Sequence, residues 1–483
     1  MTVADAPAAP TAARATGRAT DQLTLFSVMW AAAAVAHMLG NTRYSPPWLI
    51  VLVGLASLAV WIRPERLWPL GVLAAAEIAS VWAEAPILGN HWLLSGVVGL
   101  TFLLSLTWGP RDRDTIAARF LPAGRVVLLS FYVFAAFSKL NSGFFHPATS
   151  CGAEYLAESA QSLGFHQSWI GHGWTAWVGI LGSVVIEFAV FLLLLMRRTR
   201  VYGVMLGLCF HFVLALDRTH QFFDFSAVVF ALFVLFLPPA FASSVVAKVR
   251  GEATRLGGST TRLVLGLVAL LAIGPLLYAA GPRRWPAPRL LRAWGCDLWL
   301  VYGVVVIVTV VAWFLAARHD PEALLPPSHQ LRVHPVLAII PVLVVLNGLS
   351  PYLELKTAYG WNMYGNLRTV DGTSNHFVVR RTLPLTNVQS DLITVVSSDD
   401  PALQWYADNH YALPALTLRA YASSHRSASL TFIEHGRTTA LAHLSQRPDL
   451  VRPVPLVQEK FQLFRAVDLE RWPRCQEYFG PLH

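Results

Sequence analysis

Charge is scarce in this chain: of 483 residues only 13% are Asp, Glu, Lys or Arg, while 55% are hydrophobic and the mean hydropathy is +0.49. That balance excludes a water-soluble globule of this length and points to a polytopic membrane protein. Lysine is scarcer still, with Lys139, Lys248, Lys356 and Lys460 the four among 37 basic residues. The net charge of +9 therefore rests mainly on loop arginines, which signal membrane topology rather than nucleic acid. Four cysteines are too few for a disulfide framework, and no CxxC or Cys/His spacing reads as a metal site. Neither HxH nor HExxH occurs among the histidines of the long loop after Lys139, so no metal is expected. GxSxG, Gly-rich phosphate loops and other nucleotide motifs are also missing. No inverted repeat argues for a transporter, and no cleavable signal peptide precedes the first apolar run.

What the chain has is a series of apolar runs, each near the length that carries a helix across a hydrocarbon core of roughly 30 Å. Spans are read near 23–39, 47–62, 67–83, 91–108, 124–140, 174–196, 201–216, 224–237, 262–281, 297–317 and 333–350, a working count of eleven. Residues 1–20, rich in Ala, Thr and Pro, are expected to be a disordered tail. Arg14 with Arg18, Arg63 with Arg66, Arg111 with Arg113 and Arg119, the cluster Arg197, Arg198 and Arg200, and Lys248 with Arg250 and Arg255 fall on one side, which is then cytoplasmic. Residues 141–173 carry no Lys or Arg at all. Arg283, Arg284, Arg289 and Arg292 break the asymmetry on the expected outer face. An odd number of spans places the N-terminus in the cytoplasm and residues 351–483 outside it.

The texture changes after Ser350, where charge becomes common. LITVV (392–396), LTLRAYA (416–422) and SLTFIEH (429–435) have the β-branched content or alternation of short strands, and SDDP (398–401) reads as a cap opening a short helix. The fold class is thus an all-α transmembrane domain over 21–350 with a small C-terminal α+β extracytoplasmic domain. One disulfide is expected among Cys151, Cys296 and Cys475, with the pair left open, while Cys209 lies inside a span.

Ionisable residues within spans are expensive and so mark candidate sites. Lys139 ends an apolar run, FYVFAAFSKL. Two readings fit it: a desolvated amine available as a base, which arginine cannot provide, or a snorkelling anchor with its head in water. His37, Glu77, His91 and His211 fall in the outer half, with Asp217, Arg218, His220 and Asp224 crowding the hairpin above His211. Glu187 falls deeper toward the cytoplasm, where it pairs with another span if at all. Arg218 and Asp224 are a candidate interfacial ion pair.

AAFSKLNSGFF, FHFVLAL (210–216) with the following FFDFSAVVFALFVLFLP, YGWNMYGNLR (359–368) and KFQLFRAVD (460–468) resemble a family. It is the horizontally transferred transmembrane (HTTM) domain shared by vitamin K-dependent gamma-carboxylases and their bacterial relatives, and the resemblance runs over roughly 23–380. It implies Lys139 as general base toward reduced vitamin K or menaquinol, and His211 in a supporting or oxyanion-stabilising role. It also implies a lipid quinone and an extracytoplasmic protein or peptide as partners. Two departures stand out. Asn141, Ser142 and Gly143 follow Lys-Leu where the family has an acidic residue and a Trp, and the C-terminal region is far shorter than that of true carboxylases. Quinol oxidation or epoxidation is therefore better supported than glutamate carboxylation. The rival from another class is a non-catalytic membrane protein that binds or escorts a partner.

Overall fold

The computed structural model describes residues 11–41, 45–85, 88–166, 170–218, 220, 222–255, 287–320, 324, 331–475 and 481–482. The protein is mostly helical with a small sheet region at the C-terminus. Ten helices run from Thr11 to Arg255: α1 Thr11–Gly40, α2 Pro47–Ile62, α3 Leu67–Glu84, α4 Asn90–Ser105, α5 Arg113–Ser138, α6 Cys151–Ser162, α7 Gly173–Leu195, α8 Arg200–Leu214, α9 Phe223–Phe233 and α10 Pro239–Arg255. Ala287–Ala317 forms α11 and Ile339–Leu349 forms α12. Among the described residues, five helices are long and apolar enough to cross a membrane, a sixth if the bent pair α9/α10 counts as one, and four more are apolar but shorter. The expected span at 262–281 lies outside the described residues, as do Arg283 and Arg284. Helix α1 starts at Thr11, inside the stretch expected to be a disordered tail. The reason is local, because TAARATGRAT holds strong helix formers and no proline.

The chain divides into two compact units. The first comprises Met1–Ser80, Ser95–Leu129 and Leu192–Pro341. In it α1 packs against α2, α9, α10 and α11. All residues of α9 are buried, consistent with its unbroken apolar sequence. A 3-10 turn, Val234–Phe236, extends α9 to Pro238 and Pro239, where the missing proline N–H ends the ladder and the next helix leaves at 113°. Carbonyls freed by such a break need donors in an apolar layer. Gln22 supplies them, its Nε2 donating to the carbonyls of Val234, Leu235 and Leu237 at 2.9, 3.0 and 2.9 Å. Arg125 adds Nε to the Leu235 carbonyl at 2.5 Å and Nη2 to Gln22 Oε1 at 3.2 Å. A buried arginine and glutamine thereby hold the bend that the two prolines begin.

The second unit comprises Val81–Leu94, Ser130–Phe191 and Val342–His483. Ser150 caps α6 by accepting from the Gly152 N–H at 3.2 Å, and the first residue of α6, Cys151, is disulfide-bonded to Cys475. A hairpin of β1 (Thr369–Val370) and β2 (Thr373–Ser374) precedes an antiparallel sheet of order β6-β5-β3-β4-β7, with β3 Leu392–Ser398, β4 Tyr411–Pro414, β5 Leu430–Glu434, β6 Arg437–Leu441 and β7 Val467–Asp468. Ile393, Leu403, Tyr406, Leu413, Leu418, Leu430 and Phe432 form its core. The strand readings at 392–396 and 429–435 hold, and Asp400 caps the helix Pro401–Asp408 through its carboxylate, as SDDP suggested. LTLRAYA is the exception: Ala415–Ala422 is a helix. Its buried Ala415, Leu418 and Ala422 follow an i, i+3, i+7 register, and Pro414 at the N-cap starts the turn.

Candidate functional site

Helix α5 delivers Lys139 to the second unit just past its last turn. The side chain turns back along the helix, as long side chains at helix ends do, so that Nζ donates to the Ala135 carbonyl at 3.2 Å. Its other two hydrogens meet Glu187 of α7, at 2.9 Å to Oε1 and 2.8 Å to Oε2. Three donors thus find three acceptors. Both residues are 6% exposed, and the Phe144 ring lies 5.9 Å from Nζ. Tyr132, also buried, lies within the field of the Glu187 carboxylate. The structure therefore gives neither a snorkelling head in water nor an isolated amine, but a dry lysine–carboxylate pair. Glu187 does pair with another span, as one sequence reading allowed.

The chain around the pair is held by amides rather than charges. Asn141 donates to the carbonyls of Ser138 at 2.7 Å and Gly365 at 2.5 Å, while its Oδ1 accepts from the Phe144 N–H at 2.9 Å. Asn366 donates to the Thr149 and Pro473 carbonyls and accepts from the Cys151 N–H. The segment 359–366 is unusual, because Tyr359, Trp361, Met363 and Asn366 all have positive φ, at 55°, 56°, 22° and 52°. Such backbone persists only where its surroundings over-determine it. Here Asn347 donates to the Tyr359 carbonyl, Trp361 Nε1 to the Val344 carbonyl and Asn362 to the Thr357 carbonyl, each at 2.8 Å. His376 completes the frame through the Phe137 carbonyl at 2.8 Å. None of these framing roles was evident in the sequence, although the density of asparagine in WNMYGN, in an otherwise apolar chain, was its one signal.

His211 lies in the first unit on α8, 2% exposed, with its ring edge-on to Phe225 at 5.0 Å and its carbonyl accepting from the Ser226 hydroxyl at 3.0 Å. Lys139 and His211 thus belong to different units. The first unit has a titratable cluster of its own. His37 Nδ1 lies 3.2 Å from Asp224 Oδ2, which also accepts from Asn41 at 2.9 Å. Trp30 donates to the Ser95 hydroxyl at 2.8 Å, and Ser95 donates in turn to the fully buried Glu77. Arg218 and Asp224 do not pair. Arg218 faces Asp297 at 3.7 Å and Asp224 takes His37, because α1 packs against α9 and brings the histidine to the carboxylate.

Three groups that share ligand-like spacing, Asp391, Glu434 and His435, already engage charges: Glu434 holds Arg447 at 2.8 Å and His435 faces Asp391 at 3.7 Å. They form a charge-paired surface cluster.

Fold and site together define a mostly helical protein with apolar helices suited to a membrane, a buried lysine–glutamate pair and a small C-terminal sheet region. Comparison with known protein families, with curated proteins and with solved structures finds no match to this chain.

Proposed function

We propose that the chain is an integral membrane protein of eleven spans, with its N-terminus cytoplasmic and residues 351–483 outside, and that it is an HTTM-type enzyme acting on a lipid quinol. The observation that carries this reading is the Lys139–Glu187 pair, buried at the end of an apolar helix. Moving the proton from Nζ to Glu187 leaves an amine that accepts the hydroxyl proton of a reduced quinone, menaquinol or vitamin K, giving a phenolate beside an ammonium. Molecular oxygen is the oxidant. In epoxidation one oxygen atom enters the ring and the other leaves as water with the two quinol hydrogens, so the reaction balances with no further co-reactant. Carboxylation of a glutamate would be an additional step beyond the quinol chemistry.

A non-catalytic reading has its own observation. Phe377, Val378, Leu383 and Leu385 are 46, 69, 64 and 57% exposed on one stretch of the second unit, which suits docking to a partner or to lipid. Lys139→Arg separates the two readings. It keeps a cation for Glu187 but removes the exchangeable amine. The expected result is a folded variant whose oxygen-dependent menaquinol turnover falls by at least about a hundredfold. An unaffected variant, or a parent protein without turnover, rejects the enzymatic reading.

A further inference from the structure

Residues 377–385 of the second unit expose Phe377, Val378, Leu383 and Leu385, and their backbone is tied to the ends of two apolar helices. The Phe377 N–H donates to the carbonyl of Leu140, just past α5, at 2.9 Å. The N–H groups of Leu383 and Leu385 donate to the carbonyls of Tyr352 and Leu353, just past α12, at 2.9 and 3.0 Å. Those two helix ends are neighbours. The Phe137 and Tyr352 rings lie 5.8 Å apart, and Gly348 of α12 leaves room for the Phe134 ring of α5, which a Cβ there would strike. Phe377 joins the same end through its ring, 5.4 Å from that of Phe145.

On α12 the exposed Val342, Leu346 and Leu349 follow an i, i+4, i+7 register, an apolar stripe turned away from the core, which on a membrane-spanning helix meets lipid. The bonds to Tyr352 and Leu353 start residues 377–385 where that stripe stops. Residues 372–390 carry two arginines, Arg380 and Arg381, both exposed, and no acidic residue. Aromatic and aliphatic side chains beside arginine suit an anionic membrane surface, where the guanidinium forks a phosphate and the apolar groups enter among the acyl chains. An acidic soluble partner would match the arginines equally, but not the continuation of a lipid-facing stripe. Irregular backbone open to lipid does not enter hydrocarbon, so the level is that of the headgroups.

We infer that residues 377–385 lie in the headgroup layer of the leaflet that meets the C-terminal ends of α5 and α12, with Phe377, Val378, Leu383 and Leu385 among the upper acyl carbons and Arg380 and Arg381 on anionic lipid phosphates. The surface that the non-catalytic reading offers to a partner is thereby committed to lipid. The inference rests on the membrane-spanning reading of the chain and not on the quinol chemistry.

Site-directed fluorescence on the full chain in nanodiscs of phosphatidylcholine and phosphatidylglycerol tests the placement. The free cysteines are first replaced, as Cys209→Ser and Cys296→Ser, and an NBD fluorophore is then attached at Val378→Cys, at Val342→Cys on α12, or at Thr438→Cys on the exposed strand β6. Leu385→Cys is the second position should Val378→Cys fail to fold. The label at 378 is expected to be quenched by lipid spin-labelled near the headgroup end of the acyl chain at least about twofold more than by lipid labelled near the tail, and to be shielded from aqueous iodide. Spin-labelled phosphatidylglycerol is expected to quench it at least about threefold more than phosphatidylcholine, a preference lost at high salt and in Arg380→Gln with Arg381→Gln. A 378 label open to iodide like that at 438, while 342 is quenched by lipid, overturns the inference and gives the surface to a soluble partner. Equal quenching by the two lipids overturns the assignment to anionic headgroups. A 342 label that no lipid quenches rejects the membrane-spanning reading and this inference with it, and no readout depends on turnover.

Discussion

His376 donates through Nε2 to the carbonyl of Phe137 at 2.8 Å, across 239 residues of sequence. Its Nδ1 accepts from the N–H groups of Val378 and Val379, both at 3.1 Å. Two donors on Nδ1 leave Nε2 as the protonated nitrogen, so the ring is neutral and closes the end of the helix that presents Lys139.

This geometry sets a pH dependence. Burial holds the His376 pKa below its ordinary 6.5, and the bond to Phe137 offsets only part of that. Between the two values the folded chain binds fewer protons than the unfolded one. Its contribution to stability is therefore complete above 6.5 and is lost as pH falls from 6.5 through the lower folded value. Melting temperature recorded against pH is expected to decline over that window, and His376→Phe to remove this component while costing about 1–3 kcal/mol at neutral pH for the unpaired Phe137 carbonyl. An unchanged pH profile in the variant would reject the assignment.

The Lys139–Glu187 pair predicts a non-additive pattern. Glu187→Leu leaves an ammonium buried without an anion and is expected to cost about 3–5 kcal/mol, as is Lys139→Met for the carboxylate. The double variant Lys139→Met with Glu187→Leu buries no charge and is expected to recover most of that loss. Denaturation midpoints of the three variants form the cycle. Additive losses would show that the two side chains do not share one interaction.

Much of the helical layout was legible because span-length apolar runs leave few alternatives, and even the α9 break is written in Pro238 and Pro239. The pairing of Lys139 with Glu187 was not. Counting depth along straight spans placed Glu187 toward the cytoplasm and Lys139 at the outer surface. The lysine instead folds back along its own helix to the Ala135 carbonyl, and its amine meets the Glu187 carboxylate. Sequence spacing carries no information on which two helices become neighbours, so His37 with Asp224 escaped the same reasoning. At LTLRAYA the alternation of leucines suggested a strand, while the register of the two flanking alanines with Leu418 recorded the helix.

The bond between Cys151 and Cys475, with Cα atoms 4.8 Å apart, links the start of α6 to the far end of the chain, 324 residues on. Cys209 and Cys296 are free. A structural disulfide persists on the oxidising side of a membrane, which under the proposed orientation is where both partners lie. Alkylation of the denatured protein without reductant is expected to label two thiols, and after reduction four. Cys475→Ser is expected to destabilise the second unit by roughly 2–4 kcal/mol, since it frees a long loop in the unfolded chain. A reporter joined to the C-terminus tests orientation separately, with activity expected outside the cytoplasm. Four labelled thiols without reductant would reject the bridge. A cytoplasmic reporter with only two labelled would keep the bridge and reject the orientation, and with it the odd number of spans.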